Sequence, residues 1–119
     1  MIKAIIFDFD GVIVESANIK TLAFEWLFRK HPANKIKMIV DYHLKNMGIS
    51  RFVKFSYIYK NILNLNLNEK ERMKLGKQFS DFVFNKVIAA PFVKGARAFL
   101  SEKYKEIDLF VISGTPETE

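Results

Sequence analysis

Two carboxylates separated by one residue stand directly after a short apolar run, where Ala4-Ile5-Ile6-Phe7 leads into Asp8-Phe9-Asp10-Gly11-Val12. At that spacing, at the end of an extended segment, two carboxylates can divide labour. One attacks an electrophilic phosphorus while the other donates and then accepts a proton. Gly11, without a Cβ, lets the backbone approach a phosphoryl group closely. The same tetrapeptide also suits a plain acidic turn after a strand, because short motifs recur by chance. An EF-hand calcium loop is disfavoured, since the ligand spacing fails after Gly11 and helices do not flank it. A second polar cluster, Ser113-Gly114-Thr115-Pro116, ends a second apolar run, Asp108-Leu109-Phe110-Val111-Ile112.

Both runs read as strands covered on both faces, the pattern of a parallel sheet. Ligands of such sheets gather beyond the carboxyl ends of the strands, so the two polar clusters are expected to meet at one edge. Between Gly11 and Asp108 lie 96 residues, far more than the dozen or so of a parallel crossover. The excess must fold as an insertion, and its period is helical. Ile19, Leu22, Ala23, Trp26 and Leu27 form one apolar stripe, ended by His31-Pro32; Ile36, Ile39, Val40, His43, Leu44 and Met47 form another before Gly48. A third helix is expected after Ser50, burying Phe52, Phe55, Ile58, Tyr59 and Ile62. A loop over 64–68 precedes a fourth helix that carries Met73, Phe79, Phe82, Val83 and Val87, with Asn68 and Glu71 as a capping box. A last helix near Ala96–Lys105 leads to the second strand. Residues 1–16 and 91–119 are thus expected to form one α/β unit and 17–90 an inserted four-helix unit. No internal repeat is visible.

Half of the 119 residues are apolar and 14% are aromatic, enough for a real core and too many for wholesale disorder. The absence of cysteine excludes disulfides and thiolate metal sites and suits a reducing cytoplasm. The apolar run at the N-terminus is too short for a signal segment or membrane span, so a cytoplasmic protein is expected. The net charge of +6 divides unevenly: −2 over residues 1–18, +9 over 19–90 and −1 over 91–119. A basic middle segment suits an anionic small molecule, a nucleic acid or a membrane; it suits equally a solvated lysine-rich helical surface.

Phe7-Asp8-Phe9-Asp10-Gly11-Val12-Ile13-Val14-Glu15-Ser16 resembles the first motif of the haloacid dehalogenase (HAD) superfamily, and Val111-Ile112-Ser113-Gly114-Thr115 resembles the second. The helical insertion between them is similar in place and length to that family's α-helical cap. The resemblance spans essentially the whole chain. It implies a partial Rossmann-like α/β core with two parallel strands and an inserted four-helix cap. It also implies a Mg²⁺-dependent phosphohydrolase of phosphoglycolate-phosphatase or β-phosphoglucomutase type, acting on a small phosphorylated metabolite. In that reading Asp8 becomes phosphorylated and water then hydrolyses the aspartyl-phosphate. Asp10 protonates the leaving oxygen and activates the water. The Asp8 carboxylate and the Asp10 backbone carbonyl hold Mg²⁺, while Ser113 and the Gly114 amide bind phosphoryl oxygens. Having the second Asp favours phosphatases and phosphomutases over dehalogenases.

Gly48-Ile49-Ser50-Arg51 is similar to a Gly-Val-Ser-Arg segment in the caps of β-phosphoglucomutase-like members, where the Arg grips a distal anionic group. A planar guanidinium suits that task. Ser50 also reads as a plain N-cap, Arg51 as an exposed helix residue, and Lys45 and Lys54 are weaker candidates. His43 is read as packing, His31 as exposed, and Phe79, Phe82 and Phe84 as core or cap–core interface, without base stacking. The family's later Lys and acids have no counterpart before Glu119, so the chain is expected to be truncated after the second motif and inactive by itself. Its strand pair would then leave apolar faces and edges open to self-association. No nucleic-acid or membrane partner is expected. The alternatives are a phosphomutase and a non-catalytic module that binds an anionic partner through its basic helices.

Overall fold

The computed structural model describes residues 1–115. Strand β1 (Ala4–Asp8) is followed by helices α1 (Ile19–Leu27), α2 (Ala33–Lys45) and α3 (Arg51–Tyr57). A π-helical segment (Ile58–Leu63) extends α3, and α4 (Glu69–Ile88), α5 (Ala96–Lys103) and strand β2 (Asp108–Ile112) complete the order. The two strands pair in parallel, Ala4 opposite Asp108 and Asp8 opposite Ile112, so both polar clusters leave the sheet at the same edge. The chain is an α/β protein, as its two apolar runs and helical insertion predict.

The main hydrophobic cluster lies among the helices of the insertion. Phe24, Phe28, Ile39, Phe55 and Ile58 are at most 1% exposed, and Tyr59, Ile62, Leu75 and Phe79 pack with them. Aromatic rings meet there: Phe24 stands edge to face with Phe79, centroids 5.3 Å apart, and tilted against Phe55 at 5.9 Å. Gly76 allows α4 to approach α3, since a Cβ there would stand 2.5 Å from the Phe52 ring. The strand pair has no such core. Its main cover is α5, where Phe99 contacts Phe7 at 6.0 Å, and Ile6, Phe110 and Ile112 remain more than half exposed. Two lobes, one packed and one open, give a radius of gyration of 16.9 Å against about 13.5 Å for a compact chain of this length.

The lobes are joined where the chain leaves β1 and returns before α5. Glu15 N donates to Pro91 O at 2.9 Å and Val93 N to Ile13 O at 2.9 Å, an antiparallel pairing of the two connecting segments. Ile13, Val14 and Ser16 are buried beside it.

Several sequence expectations need correction. Phe84 is 57% exposed and belongs to no core or interface among the described residues, because it lies across α4 from the buried Phe79. Leu22, Leu44, Met47 and Met73 fit the apolar periodicity yet stay exposed, since only part of each helical stripe faces the shared core. His31 is half-buried against Phe28, its ring 6.0 Å away. The third helix changes to π geometry at Ile58 and ends at Asn64, whose φ of 54° is left-handed. Only one half of the capping box forms. Asn68 Oδ1 accepts from Glu71 N at 2.8 Å, whereas the Glu71 carboxylate accepts from Tyr59 Oη at 3.3 Å.

The Asn68 bond satisfies one of the amides left open at the start of α4. Asn68→Ala should therefore destabilise the chain by about 1 kcal/mol. In urea denaturation this should appear as a lower midpoint with an unchanged slope.

Candidate active site

The turn after β1 fixes the two carboxylates. Val12 N and Ile13 N both donate to Phe9 O, and Gly11 N donates to Val14 O at 2.8 Å. Gly11 has φ +75°, and a Cβ there would press on Ala17 at 3.1 Å, so the turn itself demands glycine. Asp8, the last residue of β1, accepts from Phe9 N at 2.7 Å through Oδ1. Asp10 is held more fully: Oδ1 accepts from Ser16 Oγ at 2.7 Å, and Oδ2 accepts from Lys20 Nζ at 2.6 Å in a partly buried ion pair. Lys20 stands in the first turn of α1, so the first helix of the insertion is tied directly to the acidic turn.

A cavity of about 440 Å³ opens over this edge. Asp8, Asp10 and Lys20 line one side, with Gly114 and Thr115 from the loop after β2. His43, Ser50, Arg51, Lys54 and Phe79 line it from the helices. The fold thus gathers Asp8, Asp10, Gly114 and Arg51, all singled out from sequence, and the weaker candidate Lys54 around one space. Gly11 and Ser113 are not among its lining. The Gly11 amide serves the turn, and Ser113 Oγ accepts from Thr115 N at 3.1 Å. Ser50 caps α3, its Oγ accepting from Phe52 N at 3.3 Å. Arg51 Nη1 donates to Ser80 Oγ at 2.8 Å, and its guanidinium lies 4.9 Å from the Phe79 ring centroid.

Lys20 and the pair His43–Lys54 are cavity residues that sequence reasoning passed over or ranked low. His43 is 2% exposed and Lys54 3% exposed, with Lys54 Nζ 2.9 Å from His43 Nδ1. An ammonium has only protons to give, so Nδ1 accepts and the ring proton sits on Nε2, which has no hydrogen-bond partner among the described residues. Burial, then the positive charges of Lys54 and Lys20, push His43 down to about 4. Burial, then Lys20, also lowers Lys54. His43 does pack, its ring 4.6 Å from Phe24, as the apolar stripe predicts. The signal for its second contact is that Lys54 falls within the buried run of α3 beside Phe55, a place where a lysine is rare without a partner.

Oxygen donors suit a hard divalent cation, and Asp8 with the backbone of Asp10 offers them at the strand end. Among the described residues no group of three or more His, Cys, Asp or Glu side chains converges. No helix among those residues is long and apolar enough to cross a membrane.

The depressed value of His43 makes stability depend on pH. Its folded value lies below the unfolded 6.5, so the unfolded chain binds the extra proton between about 4 and 6.5. Stability should be complete above that window and fall as pH drops through it, by about 2 kcal/mol between pH 7.5 and 5. Urea denaturation at both values tests this. His43→Gln should flatten the slope, whatever it does to absolute stability.

No protein-family model matches the sequence. No curated protein matches it either. Solved structures do. A haloacid dehalogenase-like hydrolase from Streptococcus pneumoniae superposes with a TM-score of 0.59 at 20% identity, over 94% of this chain and 49% of that one. A HAD-hydrolase of Bacillus subtilis, determined bound to magnesium, gives 0.62 at 14% identity over 98% of this chain and 56% of that one. A hydrolase from Pseudomonas syringae gives 0.56 at 12% identity, over 98% and 50%. At these identities the likeness is one of fold. This chain reproduces part of the HAD-like α/β fold and spans about half the length of the structures it matches.

Proposed function

We propose that this chain carries the nucleophile-bearing part of a Mg²⁺-dependent phosphohydrolase for small phosphomonoesters. The observation that carries the reading is the shared cavity. Two carboxylates from the end of β1 face the loop after β2 and a set of basic side chains, inside a HAD-like fold. Asp8 is the nucleophile, for it ends the strand at the cavity and only its Oδ1 is engaged, by Phe9 N. Its oxygen forms a bond to phosphorus as the ester oxygen leaves, and Asp10 gives that oxygen a proton. Water then attacks the aspartyl-phosphate, losing its proton to Asp10 and releasing phosphate. To meet the leaving oxygen, Asp10 must exchange its contact with Lys20, which the single ion pair at the start of α1 permits. Mg²⁺, held by the Asp8 carboxylate and the Asp10 carbonyl, would offset phosphoryl charge. Gly114 and Thr115, which line the cavity from the loop after β2, would meet phosphoryl oxygens.

The test needs a protein in which this chain continues to the length of its structural neighbours. Such a protein should hydrolyse an aryl phosphate with Mg²⁺, and Asp8→Asn should abolish this without loss of fold. Asn is close in shape but a poor nucleophile. Near-wild-type turnover by folded Asp8→Asn protein would remove Asp8 from the chemistry. The 119-residue chain by itself should be slower by several orders of magnitude, because phosphoryl transfer rests on positioning and charge stabilisation that the remaining half would share.

Arg51 belongs to the same proposal as a recognition residue. With a natural substrate bearing a distal anion, Arg51→Ala should lower kcat/KM roughly 10²-fold, as expected for a charged hydrogen bond of about 2–3 kcal/mol. Aryl phosphate, which has no such group, should be little affected, and Arg51→Lys should recover only part. Because Arg51 also holds Ser80 and covers Phe79, the aryl phosphate arm separates recognition from damage to packing. Equal losses on both substrates would assign Arg51 to packing.

A further inference from the structure

We infer that Lys54 is a site of carbon dioxide capture. Its amine, held by His43 on the cavity wall, takes up CO₂ to form a carbamate, and a buried cation becomes a buried anion. The phosphohydrolase reading leaves this group unused, so the two stand or fall separately. Lys54 is 3% exposed, and among the described residues its Nζ has one hydrogen-bond partner, His43 Nδ1 at 2.9 Å. None of the ion pairs among those residues includes it. The Phe24 ring, 5.7 Å away, adds only a weak attraction. A buried ammonium so placed is costly, and the cost falls when the amine sheds its proton. Burial, then the charge of Lys20, favours that loss, which an exposed lysine resists more strongly.

A lysine freed of its proton by desolvation and a neighbouring cation is an activated nucleophile. Lys54 gives one proton to solvent, and the nitrogen lone pair forms a bond to the carbon of CO₂. One C–O π pair moves onto oxygen, and a second N–H proton leaves to solvent. An ammonium and CO₂ thus become a carbamate and two protons, with no change of oxidation state. Electrostatics select this electrophile. An aldehyde would leave an iminium, again a cation beside Lys20, and an acyl group would leave a neutral amide. The carbamate reverses the sign. Lys20 lies near enough to depress both His43 and Lys54, and Arg51 lines the same cavity three residues before Lys54 on α3. His43 suits the product as well as the amine. Its Nδ1 accepts, and a carbamate nitrogen keeps one N–H to donate while its delocalised lone pair accepts nothing. The cavity of about 440 Å³ leaves room for the added carboxyl group, and CO₂ is small enough to reach an amine that larger reagents miss.

A buried structural lysine should be the last amine to react, and a capture site the first. The 119-residue chain is equilibrated near neutral pH in ¹³C-bicarbonate, and carbamate is read in two ways. ¹³C NMR resolves a carbamate carbon from bicarbonate, and trimethyloxonium traps it as a methyl ester that peptide mass mapping assigns to one residue. The α-amine of Met1 also forms carbamates, and the mapping separates it. Lys54 should carry about tenfold more label than exposed lysines such as Lys30, Lys45 and Lys74, because reaction needs the uncharged amine. Lys54→Met and Lys54→Arg should both lose the corresponding NMR signal. The mapping is made on wild type, so it does not depend on either variant folding. In guanidinium chloride strong enough to unfold the chain, the preference for Lys54 should vanish, since burial creates it. Label confined to Met1 and the exposed lysines overturns the inference. So does a preference for Lys54 that survives unfolding, or a signal that persists in folded Lys54→Arg.

Discussion

The antiparallel pairing of the two connecting segments sets where everything else can lie. Glu15 N to Pro91 O and Val93 N to Ile13 O bring the outgoing and returning chain side by side just beyond the end of β1. A long insertion attached through one adjacent pair must project from that edge. It can pack on itself, but it reaches the strands only at their carboxyl ends. The cavity follows from this attachment. Its walls come from both units, and among the described residues the Asp10–Lys20 ion pair is a polar contact between them.

The energetic division between the units is equally plain. The helical insertion buries phenylalanines and isoleucines in an aromatic-rich cluster and has the makings of independent stability. The strand pair has Phe7 against Phe99 and little more, with both faces largely open among the described residues. Two strands with exposed apolar faces are marginal without further cover. Residues that carry the proposed chemistry therefore sit on the weaker unit, and residues that would choose the substrate sit on the stronger one.

Much of this was legible from residues. Both strands, their parallel sense and the convergence of Asp10-Gly11 with Ser113-Gly114 at one edge follow from two apolar runs ending in polar turns. Helix starts at Ser50 and Asn68 follow from capping chemistry, which is local and needs no tertiary knowledge. Periodicity failed where tertiary packing decides. Phe84, Leu44 and Met47 satisfy a helical repeat, but the insertion has one core, and only the side of each helix that meets it is buried. The π-helical turn at Ile58 carries no composition signal at all. Arg51 is singled out by a motif resemblance, whereas its contacts with Ser80 and Phe79, 29 and 28 residues on, have no local signal.

The His43–Lys54 pair shows why polar groups inside a core are the least legible and the most informative. From sequence, His43 sits on an apolar stripe and Lys54 interrupts one, so the first is read as packing and the second as a weaker candidate than Arg51. Three-dimensional placement reverses the weight. Two basic groups in contact, with Lys20 near enough to depress both, are a poor choice for stability. A hydrophobic residue at position 54 would serve the helices better. The buried cation lies beside a cavity that Asp8 and Asp10 also line. The basic excess of the insertion then has a direction. Most of it is solvated surface, and the part that matters is the small share turned inward.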